Sequence, residues 1–177
     1  MADRPTNRPV DVILDSFDGI WSGFTGRLEG LADDEYHWAP VDGWGVVADA
    51  DGARVTGAGH QDPGPFTTIA WRTWHIAVDC LDAYSARCFG STGASVSGEA
   101  WHLRADDALA DLERSWQNWR GHLGEVDDAA WWERLGDEWG PFADHNLHDL
   151  TQHALHEVSH HAAEIGVLRD LWRGGVR

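Results

Sequence analysis

Apolar residues recur every three or four positions in four stretches of the chain, the spacing of one face of an α-helix. In the first, Ile13, Phe17, Ile20, Phe24, Leu28 and Leu31 follow one another at such steps, and Asp33–Asp34 and then Pro40 end the pattern. The second is predicted over about 67–89, with Ala70, Trp74, Ala77, Val78, Leu81 and Tyr84 on one side. Pro65 stands just before it, where a missing N–H does no harm. The third carries Ala105, Leu109, Leu112, Trp116, Trp119 and Leu123, and the fourth runs from about 146 to 172, closed by Gly174–Gly175. Four amphipathic helices in 177 residues predict one all-α domain over 1–177, a four-helix bundle.

No strand pattern stands out between the helices. VADADGARVTG could form a short hairpin around Asp51–Gly52, and residues 41–64 otherwise read as a long loop of Gly and Asp. Residues 93–98 and 136–142 are shorter connections, with Trp131–Trp132 on a helical turn between them. The tripeptide GPF occurs at 64–66 and at 140–142, each time ahead of a His-bearing helix.

Charge narrows the function. The formal net charge is −17, with thirteen Arg and no Lys, so a phosphate backbone or an anionic bilayer would be repelled. No apolar run is long enough to span a membrane, and residues 1–17 lack the uninterrupted apolar core of a signal peptide. The expectation is a cytoplasmic protein that binds a small molecule and neither nucleic acid nor membrane. Cys80 and Cys88 share one predicted helix, about 12 Å apart along it, so both thiols are expected to be free. Twelve tryptophans fill volume, but each indole N–H needs a partner.

The fourth helix holds the chemistry. HALHEVSHHAAEIG, residues 153–166, packs four histidines and two glutamates into barely four turns. At 100° per residue, Leu147, Ala154, Val158, Ala162, Ile165 and Trp172 share a core stripe about 80° wide, with Leu150 and Leu168 on its flank. His161 lies about 60° from the stripe's centre and Glu157 about 100°, one turn below it on the same flank. His156 and His160 have the same spacing but point to the wet side, while His153 and Glu164 take intermediate positions on the Glu157 side. A carboxylate beside a core requires compensation, either by a cation shared with His161 or by an Arg or hydrogen-bonded network. His75, in WRTWHIAVD, stands at the edge of the second helix's apolar face and is the candidate third ligand. Two His and one carboxylate form a three-ligand site that leaves room for water or substrate and suits Zn²⁺, with Ni²⁺ or Fe²⁺ as alternatives. Asp79, one turn on, could orient the second ring nitrogen of His75, or could simply be solvated. Trp44, Trp71 and Trp74 read as core or as pocket lining.

Three stretches, LADDEYHWAPVDGWG (31–45), PFTTIAWRTWHIAVDCLDAYSARCFG (65–90) and GPFADHNLHDLTQHALHEVSHHAAEIGVLRDLW (140–172), resemble the DinB-like four-helix metalloproteins, and more closely their mycothiol-dependent isomerase and transferase branch. In that branch a Glu takes the first place of the last-helix E-x-x-x-H, which matches Glu157 and His161. The resemblance implies an up-down-down-up bundle with a divalent metal held by His75, Glu157 and His161 between helices two and four. It also implies a low-molecular-weight thiol as cosubstrate. The loop after Trp44 departs from the shorter family pattern. The further C-terminal domain of the maleylpyruvate isomerase has no counterpart here, so its reaction is not implied. Three functions are carried forward: thiol transfer or isomerisation on a small electrophile, hydrolysis by a metal-bound water, and non-catalytic metal sequestration. A homodimer through an apolar helix face is compatible with all three.

Overall fold

A computed structural model describes residues 8–50, 52–57 and 65–176. Helix α1 spans Pro9–Leu28 and a short α2 spans Asp33–Tyr36. Two two-stranded sheets follow. Strands β1 (Gly43–Trp44) and β4 (Phe66–Thr67) pair in parallel, and β2 (Val46–Asp49) and β3 (Gly52–Val55) form an antiparallel hairpin. The second long helix is continuous but not uniform. It begins as α3 (Ile69–Trp74), widens into π-helical turns over His75–Asp82, and returns to α geometry in α4 (Ala83–Phe89). Helix α5 spans Ala105–Glu125, 3₁₀ turns cover Ala130–Trp132 and Asp137–Phe142, and α6 spans Leu147–Arg173.

Side-chain partners give the helix directions. Gly23 and Phe24 share a groove with Ala162 and Ala163, and Arg27, a turn on, bonds the Gly166 carbonyl at 2.9 Å and Asp170 at 2.8 Å, so α1 and α6 run parallel. Arg72 pairs with Glu164, while Tyr84 pairs with His153, so the second helix runs against α6. Asp18 meets Arg120, while Trp21, a turn on, stacks on Trp116 and donates its indole N–H to Glu113 at 3.0 Å, so α5 runs against α1. The bundle is therefore up-down-down-up. Two consecutive downward helices need a long crossover, and residues 90–104 supply it. Asp82 takes the N–H groups of Gly93 and Ala94 at 2.9 and 3.0 Å, and Asp111 takes the N–H and hydroxyl of Ser95 at 3.0 and 2.7 Å. Gly93 cannot be larger there, because a Cβ would lie 2.2 Å from the Arg114 carbonyl oxygen.

The structure departs from the sequence reading in four places. Helix α1 stops at Leu28, and Asp33–Asp34 open the short α2 rather than merely ending a pattern. The strands of β1 and β4 are too short, at two residues each, to show alternation. The hairpin is where the sequence places it, with Asp51 itself and residues 58–64 of the loop outside the described residues. Trp172, assigned to the core stripe of α6, is half-buried at its end, edge-on to Trp38. Nothing in the composition of His75–Asp82 calls for the wider turns, which are scarce and concentrate at functional sites. Both cysteines are free, and no described helix is long and apolar enough to cross a membrane.

One buried ion pair fastens the end of the bundle. Arg169 of α6, fully buried, grips Glu35 of α2 through two bonds of 2.8 and 3.1 Å and donates further to the carbonyls of Glu29 and Arg27. Every charge in this cluster has a partner, and removing one member would strand the other in a medium that cannot solvate it. Arg169→Met or Glu35→Leu alone is expected to lower stability by about 3–5 kcal/mol in urea unfolding, and the double variant to recover part of that loss. Single variants as stable as the wild type would assign the fastening to packing instead.

Candidate metal centre

Helix α3 is aimed before it carries chemistry. The Thr68 hydroxyl caps its first turn by accepting the Trp71 N–H at 3.2 Å, and the Thr68 N–H is itself held by the Trp44 carbonyl at 2.9 Å. Trp71 then lies flat against His75, with ring centroids 5.2 Å apart and planes 12° from parallel. The Trp71 indole N–H bonds the Gly57 carbonyl at 2.9 Å, and Trp44 covers its other side at 5.8 Å. Gly57 has φ of +71°, and a Cβ there would fall 2.2 Å from the Trp44 ring. The inserted segment thus sets Trp44 and Gly57 against Trp71, and Trp71 sets the plane of His75. Trp71 and Trp74 are core residues, and Trp44 is half-buried against them.

Across the bundle, α6 places Glu157 and His161 one turn apart on the side that meets His75. The Nε2 atoms of His75 and His161 lie 3.3 and 3.2 Å from one oxygen, Oε2, of Glu157. Ligand atoms of all three residues fall within 4.8 Å of one another, and no other such group of three occurs among the described residues. Both imidazoles are buried, and the Glu157 side chain is 19% exposed. The two rings meet edge to face, 4.7 Å apart.

The outer nitrogens decide what the inner ones can do. His75 Nδ1 lies 3.0 Å from Asp79 Oδ2, and His161 Nδ1 lies 2.6 Å from Glu164 Oε2. An ionised carboxylate only accepts, so a neutral His75 puts its one proton on Nδ1. His161 Nδ1 lies between the Glu164 carboxylate and Arg72 Nη1, a donor 2.8 Å away, so either of its nitrogens can carry the proton. His75 Nε2 thus presents a lone pair toward an oxygen that also carries lone pairs, and His161 Nε2 does the same when its proton stands on Nδ1. Acceptors so placed repel unless something positive lies between them. A tetrahedral ion bonded at about 2.0–2.2 Å separates its ligand atoms by roughly 3.3–3.5 Å, close to the two distances seen. Carboxylate partners on the outer nitrogens are the usual support of metal-binding histidines.

Charge agrees with geometry. Arg72 pairs with Glu164 at 2.6 Å and lies 2.8 Å from His161 Nδ1, so the Arg that could have compensated Glu157 directly is engaged one turn away. With neutral imidazoles, three carboxylates and one guanidinium leave two negative charges, which a divalent cation cancels. In the absence of metal, protons take its place. Burial disfavours a charge on His75, but the hydrogen bonds and charges of Asp79 and Glu157 outweigh it and carry the imidazole up to about 8. Hydrogen bonds from His161 and His75 hold the Glu157 carboxyl far below the usual carboxylate range, against the effect of burial. Glu157 is therefore ionised at any ordinary pH, as a ligand must be.

The structure brings His75, Glu157 and His161 together, as the sequence reading requires. His156 and His160 are exposed, stacked on each other 6.0 Å apart, and stand away from the cluster. Asp79, left between two roles, is bonded to His75. Sequence reasoning missed Arg72 and Glu164. Their signal was present, since Glu164 follows His161 by three residues and Arg72 precedes His75 by three, spacings that put each on the ligand's own side. His153 sits on the far side of the carboxylate, its Nε2 3.6 Å from Glu157 Oε1.

A family model described as the DinB superfamily matches residues 16–165. No curated protein and no solved structure matches the chain.

Protein purified without a histidine tag is expected to retain about one divalent ion per chain. His161→Ala and Glu157→Ala should lose it, whereas His156→Ala and His160→Ala should keep it. Asp79→Ala and Glu164→Ala should weaken affinity about 10–100-fold without abolishing it. Elemental analysis and chelator competition read both effects. Equal metal in wild type and His161→Ala would remove the site.

Proposed function

Since the chain belongs to the DinB superfamily, we propose that it is a metal-dependent enzyme that joins a low-molecular-weight thiol to a small electrophile, or isomerises that electrophile through a thiol adduct. The observation that carries the metal half of this reading is the convergence of His75 Nε2, His161 Nε2 and Glu157 Oε2, with a carboxylate beside each outer nitrogen. The thiol half rests on the resemblance of the second and last helices to the mycothiol branch. A bound Zn²⁺, or Ni²⁺ or Fe²⁺ in its place, would supply Lewis acidity that keeps a coordinated sulfur as thiolate at neutral pH.

The chain's own residues do the rest. Asp79 fixes the tautomer and plane of His75, and Glu164 with Arg72 fixes the plane of His161. Trp71 closes one face of His75 against water. Arg72 holds Glu164 on His161 while offsetting part of the local negative charge. Three protein ligands, and no more among the described residues, leave further positions for exogenous molecules. Cys80 is not a competing nucleophile, because burial first, and the nearby Glu157 and Asp79 charges next, push its thiol well above the ordinary range.

The test is turnover of a panel of activated small electrophiles by the metal-loaded protein, with and without a low-molecular-weight thiol such as mycothiol or cysteine. Consumption of thiol and electrophile together, lost in His161→Ala, is expected. Ester or amide hydrolysis indifferent to thiol would replace this reading by a metal-bound water, and metal retention with no turnover of either kind would leave a sequestering bundle.

A further inference from the structure

Next to the metal cluster lies a cavity of about 450 Å³. Helix α4 supplies Tyr84 and Arg87, the connection before α6 supplies Leu135, Trp139 and Phe142, and the first turns of α6 supply Leu150 and His153. Its distance from the cluster is two side chains. The Tyr84 hydroxyl and His153 Nδ1 share a hydrogen bond of 2.6 Å, and His153 Nε2 faces Glu157 Oε1 at 3.6 Å. The size is within the range that holds a small ligand.

The lining specifies chemistry. Most of it is carbon, and three of the walls are aromatic. Phe142 stands 55% exposed, an arrangement that costs hydration free energy unless something covers it. The one guanidinium in the wall is fixed rather than mobile. Arg87 lies flat over Trp139, 3.5 Å from the ring centroid, and its only hydrogen bond among the described residues runs from Nη2 to the Glu138 carbonyl at 3.0 Å. Its other N–H groups remain available to an anion. The acid that also lines the cavity, Asp149, is occupied by the Asn146 N–H at 3.2 Å in the cap of α6. A pre-positioned cation on an apolar aromatic wall is an exception on a surface whose net charge is −17.

We infer that this cavity takes the apolar body of the substrate and that Arg87 binds a carboxylate on it, so the preferred substrate class is an aromatic or similarly flat carboxylate. This deepens the proposed function and rests on the metal centre for its chemistry, but its binding can be read separately. The Tyr84–His153 pair forms the wall between the bound body and Glu157, which places the reactive end of such a molecule toward the cluster.

The test uses the full chain with 2-naphthoate, 2-naphthamide and 2-naphthylmethylamine as probes, followed by calorimetry and ligand-observed NMR, with metal content measured on the same samples. Naphthoate is expected to bind best. Arg87→Gln should weaken naphthoate about tenfold or more and leave the amide unchanged, since only the charge-assisted bonds are lost. Leu135→Trp, which fills the cavity, should weaken both, and Trp132→Ala, an exposed aromatic outside the lining, neither. Circular dichroism of each variant controls for folding. Naphthoate binding unaffected by Arg87→Gln, binding of the amine as tight as that of the acid, or no binding by protein that retains its metal would each overturn the inference. Naphthoate binding by protein with no metal would instead overturn the metal centre and leave the cavity standing.

Discussion

The site depends on a proton count. A neutral imidazole has one N–H; Asp79 claims it on the outer edge of His75, while His161 Nδ1 lies between the Glu164 carboxylate and the Arg72 guanidinium. The two inner nitrogens converge on Glu157 Oε2, each 3.2–3.3 Å from it. Such a junction favours a positive species. Either protons enter, which the raised His75 and depressed Glu157 reflect, or a divalent ion enters and supplies the same charge without using the ring protons. The antiparallel seam between the second helix and α6 therefore brings together a group that could hold a divalent cation.

Much of the sequence that is not ligand serves to hold this junction in register. The segment between residues 41 and 64 contributes Trp44 and Gly57 to the stack that ends on His75. The β2–β3 hairpin is tied in turn to the crossover, the Val55 N–H bonding Glu99 at 2.9 Å and the Trp101 N–H bonding Ala53 at 3.1 Å. A chain of backbone bonds thus runs from the crossover through the hairpin to an aromatic stack on a ligand. The insertion that departs from the shorter family pattern is, in its described part, a brace for the second helix.

The four helices and their core faces were legible because burial imposes a period of 3.6 that composition cannot disguise. The distinction between Glu157–His161 and His156–His160 was legible for the same reason, as one pair lies on the dry flank and the other does not. What period alone could not show was pairing across helices. Glu164 and Arg72 read as polar positions, and only the antiparallel seam makes them partners of His161 and of each other. The two-residue strands of β1 and β4 carry too little sequence to alternate, and the π-helical turns at His75 change hydrogen bonding without changing residue type.

Helix α6 offers its own comparison for what unmet charge means. Two turns beyond His161 it carries Arg169, buried as deeply as the cluster, where a guanidinium meets one carboxylate and two carbonyl oxygens and nothing is left over. That network is complete in protein atoms alone, which is the mark of a structural device. The cluster around Glu157 is different in kind. Two imidazole nitrogens and a carboxylate oxygen converge there across the seam between two helices, and Arg72 is engaged with Glu164 and His161 rather than with Glu157. The same helix, in the same bundle, thus carries one polar network closed by a guanidinium and a second whose converging atoms could hold a divalent ion.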